Sequence, residues 1–139
     1  MTRLAPHHFG VTVADLDRAV DFYRDTFDFD DPERFTVSGD AFSDAVDVDG
    51  ATGRFAHFVL DGARIELVEY DPAGDDVPES TVNQPGATHL GLAVDDLDAF
   101  YADLDPSVTT LSEPRTTESG TRICFVRDPD GNLVEVLET

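Results

Sequence analysis

One stretch of this chain occurs twice, first as HHFGVTVADLDRAV and later as THLGLAVDDLDAFY. Aligned on their histidines, the copies pair His8 with His89, Gly10 with Gly91, Val13 with Val94, Asp15 with Asp96 and Leu16 with Leu97, always 81 residues apart. A second element repeats 69 residues apart: Gly62 leads to Glu66, and Gly131 to Glu135. Each half therefore supplies one early His and one late Glu. A duplicated supersecondary unit is the strongest constraint on how such a chain can fold.

The first copy begins with alternating residues that place Phe9, Val11 and Val13 on one face and His8, Gly10 and Thr12 on the other, the pattern of a short strand. Asp15 then reads as a helix N-cap. Leu16, Ala19, Val20, Tyr23 and Phe27 follow at the spacing of an amphipathic helix that ends near Asp28. Residues 34–38 predict a strand, and 39–53 a loop rich in Gly and Asp or a strand with a long excursion. RFAHFVL and ARIELVEY flank Asp61-Gly62, a two-residue hairpin of the type I′ kind. In the second of these strands Ile65 and Leu67 share one face, and Glu66 and Val68 the other.

Residues 71–86, DPAGDDVPESTVNQPG, have the Pro, Gly and acidic content of a connector. The plan then restarts with a strand at 88–94, an Asp96 cap and a helix carrying Leu97, Phe100, Tyr101 and Leu104. A short strand near Val108–Leu111, a loop SEPRTTESG and a closing hairpin turning at Asp130-Gly131 complete it. The expected organisation is α+β: two tandem βαβββ modules, 1–72 and 87–139, joined by a linker at 73–86, with their sheets cupped around a shared cleft.

Composition narrows the function. Thirty acidic residues stand against nine basic ones, all arginine, for a formal net charge of −21. Such a surface repels phosphate backbones and anionic lipid, so neither nucleic acid nor a membrane is an expected partner. The acids are spread along the chain, as suits a solvated surface in a salt-rich cytosol. No targeting or spanning segment is recognisable, and a cytoplasmic location is expected. Cys124, the one cysteine, lies in the apolar run RICFVRD and reads as a buried structural thiol.

His8, His89, Glu66 and Glu135 all fall on the strand faces opposite the helix-facing residues. A single strand His or Glu is ordinarily a solvated polar residue. Four at matched offsets in a duplicated frame point to a ligand set for a divalent ion such as Zn, Ni, Mn, Co or Fe(II). His57, on the neighbouring strand, and Arg122 are candidates for lining a substrate site, alongside Arg54, Arg64 and Arg115. His7 alternates onto the other face.

The stretches HHFGVTVADLDRAVDFYRD, IELVEY, ATHLGLAVDDLDAFY and FVRDPDGNLVEVLE together resemble the vicinal oxygen chelate superfamily. That group contains glyoxalase I, extradiol dioxygenases, methylmalonyl-CoA epimerase and the fosfomycin and bleomycin resistance proteins. The resemblance spans nearly the whole chain. It implies paired βαβββ modules around a metal, with His8, Glu66, His89 and Glu135 at the ligand positions. With Glu at the second position the set is most similar to glyoxalase I, since methylmalonyl-CoA epimerase usually carries Gln where this chain has Glu66. The implied activity is that of a metal-dependent lyase or isomerase acting on a small oxygenated substrate. It would work through a stabilised enolate and a carboxylate proton shuttle, Glu135 or Glu66, with Glu135 favoured. A ring-cleaving dioxygenase, an epimerase and a non-catalytic binding protein of the bleomycin-resistance kind are the alternatives. A homodimer is the expected assembly.

Overall fold

The computed structural model describes residues 2–139 and divides the chain into two compact units, one ending at Asp76 and the other Val77–Thr139. The first unit runs β1 (Phe9–Thr12), α1 (Leu16–Phe27), β2 (Glu33–Ser38), α2 (Asp40–Val46), β3 (Thr52–Leu60) and β4 (Ala63–Asp71). Its sheet has the order β1-β4-β3-β2, with β1 parallel to β4 and the other pairs antiparallel. The second unit repeats this with β5 (His89–Ala93), α3 (Leu97–Ala102), β6 (Arg115–Thr116), β7 (Arg122–Arg127) and β8 (Leu133–Glu138), in the order β5-β8-β7-β6. The chain is mixed α+β, as expected.

Each helix is set by the same local chemistry. Asp15 accepts a hydrogen bond from the Arg18 N–H and Asp96 from the Ala99 N–H, both at 3.0 Å, so both expected N-caps are present. Helix α1 buries Leu16, Ala19, Val20 and Tyr23, the stripe read from spacing. The sheet residues Val11, Ala56, Phe58, Ile65 and Leu67 are likewise buried. Register puts Val11 beside Leu67 and Leu67 beside Ala56, so these form one apolar face. Asp28 ends α1 in the left-handed region at φ 55°, taking the place Gly usually fills, with its N–H on the Arg24 carbonyl.

Helix α3 is half the length of α1, six residues against twelve. It stops before Leu104 because Asp105 precedes Pro106, and a residue before proline is driven out of the helical region. Ser107 instead donates to the Asp105 carboxylate from both its N–H and its hydroxyl.

Three local expectations change. Residues 39–53 are not all loop: α2 occupies Asp40–Val46, started by Gly39 without a side-chain cap and burying no residue completely. Lacking both a stripe and a capping side chain, it left no periodic signal. At 108–111 only Thr110 bridges, to Val126, and the strand proper is Arg115–Thr116. Pro114 has no N–H to offer and separates the two pieces. The first hairpin has the expected two-residue loop, but only Gly62 has positive φ, at 70°, so it is not a type I′ turn, which needs positive φ at both positions.

Candidate metal centre

The parallel pairing of β1 with β4 places Gly10 beside Glu66, and that of β5 with β8 places Gly91 beside Glu135. Alternation turns both carboxylates to the sheet face away from the helix, and His8 and His89, two residues before their glycines, reach the same face. His8 Nε2 lies 3.4 Å from Glu66 Oε2, and His89 Nε2 lies 3.4 Å from Glu135 Oε1. The duplication thus extends to the side chains. Gly10 lies against the first pair: a Cβ there would make ordinary contacts of 3.4 Å with Glu66 Oε2 and 3.7 Å with the His8 ring, whereas one at Gly91 would meet nothing within 4 Å.

The surroundings of the pairs differ. Opposite Glu66 on β3 stands His57, whose Nε2 lies 2.7 Å from Glu66 Oε1. Glu66 therefore has an imidazole on each oxygen. Opposite Glu135 on β7 stands Phe125, whose ring meets His89 edge-on with centroids 5.2 Å apart. His57 is contacted edge-on by Phe35 at 4.8 Å, and Phe35 stacks on Phe55 at 5.0 Å. At the other end of this face, Phe42 of α2 stacks on Tyr70 at 6.2 Å. His7 bridges outward, with Nδ1 2.8 Å from His8 Nδ1 and Nε2 2.9 Å from Arg64 Nη1.

Arg122 is not brought to this chemistry. It pairs in register with Glu138, three residues from Glu135 and so on the opposite face, and its guanidinium donates to Asp98 and to the Thr116 hydroxyl. It lies on the helix side of the sheet, opposite the face that carries Glu135.

Donor chemistry fits a divalent ion. Two donors each about 2.1 Å from one ion at a tetrahedral angle lie about 3.4 Å apart, the separation found in both pairs. Yet among the described residues no group of three or more His, Cys, Asp or Glu is arranged to hold an ion. Each unit presents one His–Glu pair.

Sequence reasoning missed one functional layer, the carboxylates that fasten each helix to its sheet. Glu69 Oε1 accepts from the Leu16 N–H and Glu138 Oε1 from the Leu97 N–H, both at 2.8 Å. The two glutamates are 69 residues apart, so the repeat spacing itself was the available signal.

Residues 5–136 match the family model of the Glyoxalase/Bleomycin resistance protein/Dioxygenase superfamily. The chain belongs to this superfamily. One relative, a 2-epi-5-epi-valiolone epimerase of Actinomyces sp., is 34% identical over 96% of this chain and 79% of its own length. A glyoxalase family protein from Bacillus cereus shares the fold with a TM-score of 0.85, at 22% identity over 99% of this chain and 95% of that one. An antibiotic binding protein from Streptomyces sp. CB03234 is 28% identical, with a TM-score of 0.59 over 99% of this chain and 98% of its own. The proteins similar to this chain therefore include one named as an epimerase and one named as an antibiotic binding protein.

Proposed function

We propose that this chain is a divalent-metal-dependent isomerase or epimerase that moves a proton beside a carbonyl in a small oxygenated substrate. The observation carrying this reading is the twofold His–Glu pair at 3.4 Å. His8, Glu66, His89 and Glu135 would hold the ion. When bound, the ion supplies Lewis-acid polarisation of a carbonyl oxygen, which acidifies the neighbouring C–H. Similarity to a protein named as an epimerase moves the reading from a glyoxalase-type lyase towards inversion or isomerisation of a ketone.

The residues divide the work by their contacts. Glu66, with both oxygens against imidazoles, suits a ligand that stays in place. Glu135 meets only His89 among the described residues, so its carboxylate is the freer base. It takes the proton from the carbon beside the carbonyl. It then returns it to the adjacent carbon on the same face, which isomerises the substrate, whereas inversion of one centre requires a second group that delivers a proton to the opposite face. A homodimer accompanies this reading, and a monomer by light scattering would remove that part of it.

Two measurements test the proposal. Elemental analysis of purified protein is expected to find stoichiometric divalent metal, and a chelator is expected to lower the melting temperature. Candidate small ketones in deuterated water should take up solvent deuterium only with metal-loaded protein. No metal and no effect of chelator would refute the proposal.

A second reading, ligand binding without turnover, draws on the exposed ring of Phe35, backed by Phe55 and beside His57, and on the similarity to an antibiotic binding protein. It expects a saturable binding isotherm with no deuterium uptake.

A further inference from the structure

We propose that His57 is a positioning residue that locks Glu66 as a fixed ligand, and that Phe125, at the equivalent place in the second unit, leaves Glu135 unlocked. This rests on the reading of Glu66 and Glu135 as metal ligands. Each glutamate faces one cross-strand neighbour in register, His57 for Glu66 and Phe125 for Glu135. Each glutamate lies between a parallel and an antiparallel neighbour, and the His–carboxylate distances are equal. What differs is a hydrogen-bond donor against a ring that has none. An ionised carboxylate only accepts, so His57 donates from Nε2 to Oε1 across 2.7 Å.

His57 is itself held. Phe35 packs against its ring edge, and its side chain is only 12% exposed, so the bond to Glu66 is sheltered from competing water. A donor fixed in this way selects one rotamer of Glu66 and leaves Oε2 directed at His8, 3.4 Å away. Hydrogen bonds from outside a metal's own ligands orient those ligands, and losing one typically weakens metal affinity about 10–100-fold. Among the described residues Glu135 has no such partner, and it keeps the rotameric freedom that a proton carrier requires. Around the two carboxylates, the duplication is thus broken at His57 and Phe125.

The test is titration of metal-free protein with Co(II), followed by calorimetry and by the visible absorption of the bound ion. His57→Phe, which copies the second unit, is expected to weaken Co(II) binding about 10–100-fold and to alter the absorption bands. His57→Gln keeps an N–H donor and is expected to recover most of the affinity. The converse variant, Phe125→His, is expected to tighten binding while lowering kcat with little change in KM. This variant also covers the case in which His57→Phe fails to fold. Wild-type affinity in His57→Phe, equal weakening in His57→Gln, or unchanged binding in Phe125→His would each overturn the proposal. If the wild-type protein itself bound no Co(II), the metal reading would fall first and take this one with it.

Discussion

Glu69, near the end of β4, accepts a 2.8 Å hydrogen bond from the backbone N–H of Leu16, the first residue of α1. That N–H has no partner within the helix, and the carboxylate also favours the positive end of the helix dipole. Arg54 holds the other oxygen of Glu69 at 3.1 Å. The bond ties the helix entrance to the same strand that carries Glu66. Glu138 and Leu97 repeat it in the second unit.

Glu69→Ala and Glu138→Ala should therefore each lower stability, by about 1–2 kcal/mol, the usual effect of losing a cap or a hydrogen bond to a charged group. The two carboxylates share no partner, so the losses should add in the double variant. Urea unfolding checks this, and wild-type midpoints would remove the anchoring role.

Replacing the base tests the division of labour between the glutamates. Glu135→Gln should lower kcat by roughly 10²–10⁴-fold, the typical contribution of a positioned base, in a protein that still folds. Solvent deuterium uptake by the substrate measures it directly. Retained uptake would move the proton transfer elsewhere.

The charge of −21 predicts a dependence on salt. Screening length falls from about 8 Å at physiological salt to about 3 Å at 1 M, which weakens repulsion among the exposed aspartates. The melting temperature should rise between low salt and about 1 M KCl. A flat or falling trend would count against a salt-adapted surface.

Cys124 is 1% exposed, with its Sγ 3.4 Å from the Ser112 carbonyl oxygen. Burial raises its pKa above the ordinary thiol value, because the thiolate is the form that loses most on desolvation. The sign follows: this contribution to stability is whole below the unfolded thiol value and is lost as pH rises through the folded one. A thiol reagent should label native protein only as fast as it unfolds, at neutral pH and at mildly alkaline pH. Rapid labelling of folded protein at pH 8 would contradict it.

Much of the architecture was legible because it rests on short-range rules. Alternation, helical spacing and Asp caps act within a few residues, so β1, α1 and their copies β5 and α3 could be read directly from HHFGVTVADLD and THLGLAVDDLD. The same alternation put His8, Glu66, His89 and Glu135 on the face away from the helices. Arg122 shows the limit. Its charge made it a candidate, but its register against Glu138 turns it to the helix side.

The neighbours of each glutamate depended on something longer in range, the length of a turn. Two residues separate Leu60 from Ala63 across the first hairpin, but five, Asp128–Asn132, separate Arg127 from Leu133 across the second. Counting by the repeat spacing of 69 would match His57 with Val126. The longer loop slips that correspondence by one, and since strand residues alternate between faces, a one-residue slip exchanges a helix-side residue for one beside the carboxylate. The sequence by itself determined the duplicated βαβββ plan and the residues able to ligate. Only the tertiary structure decided that His57 meets Glu66 and Phe125 meets Glu135, because strand pairing across a turn sets which side chains touch.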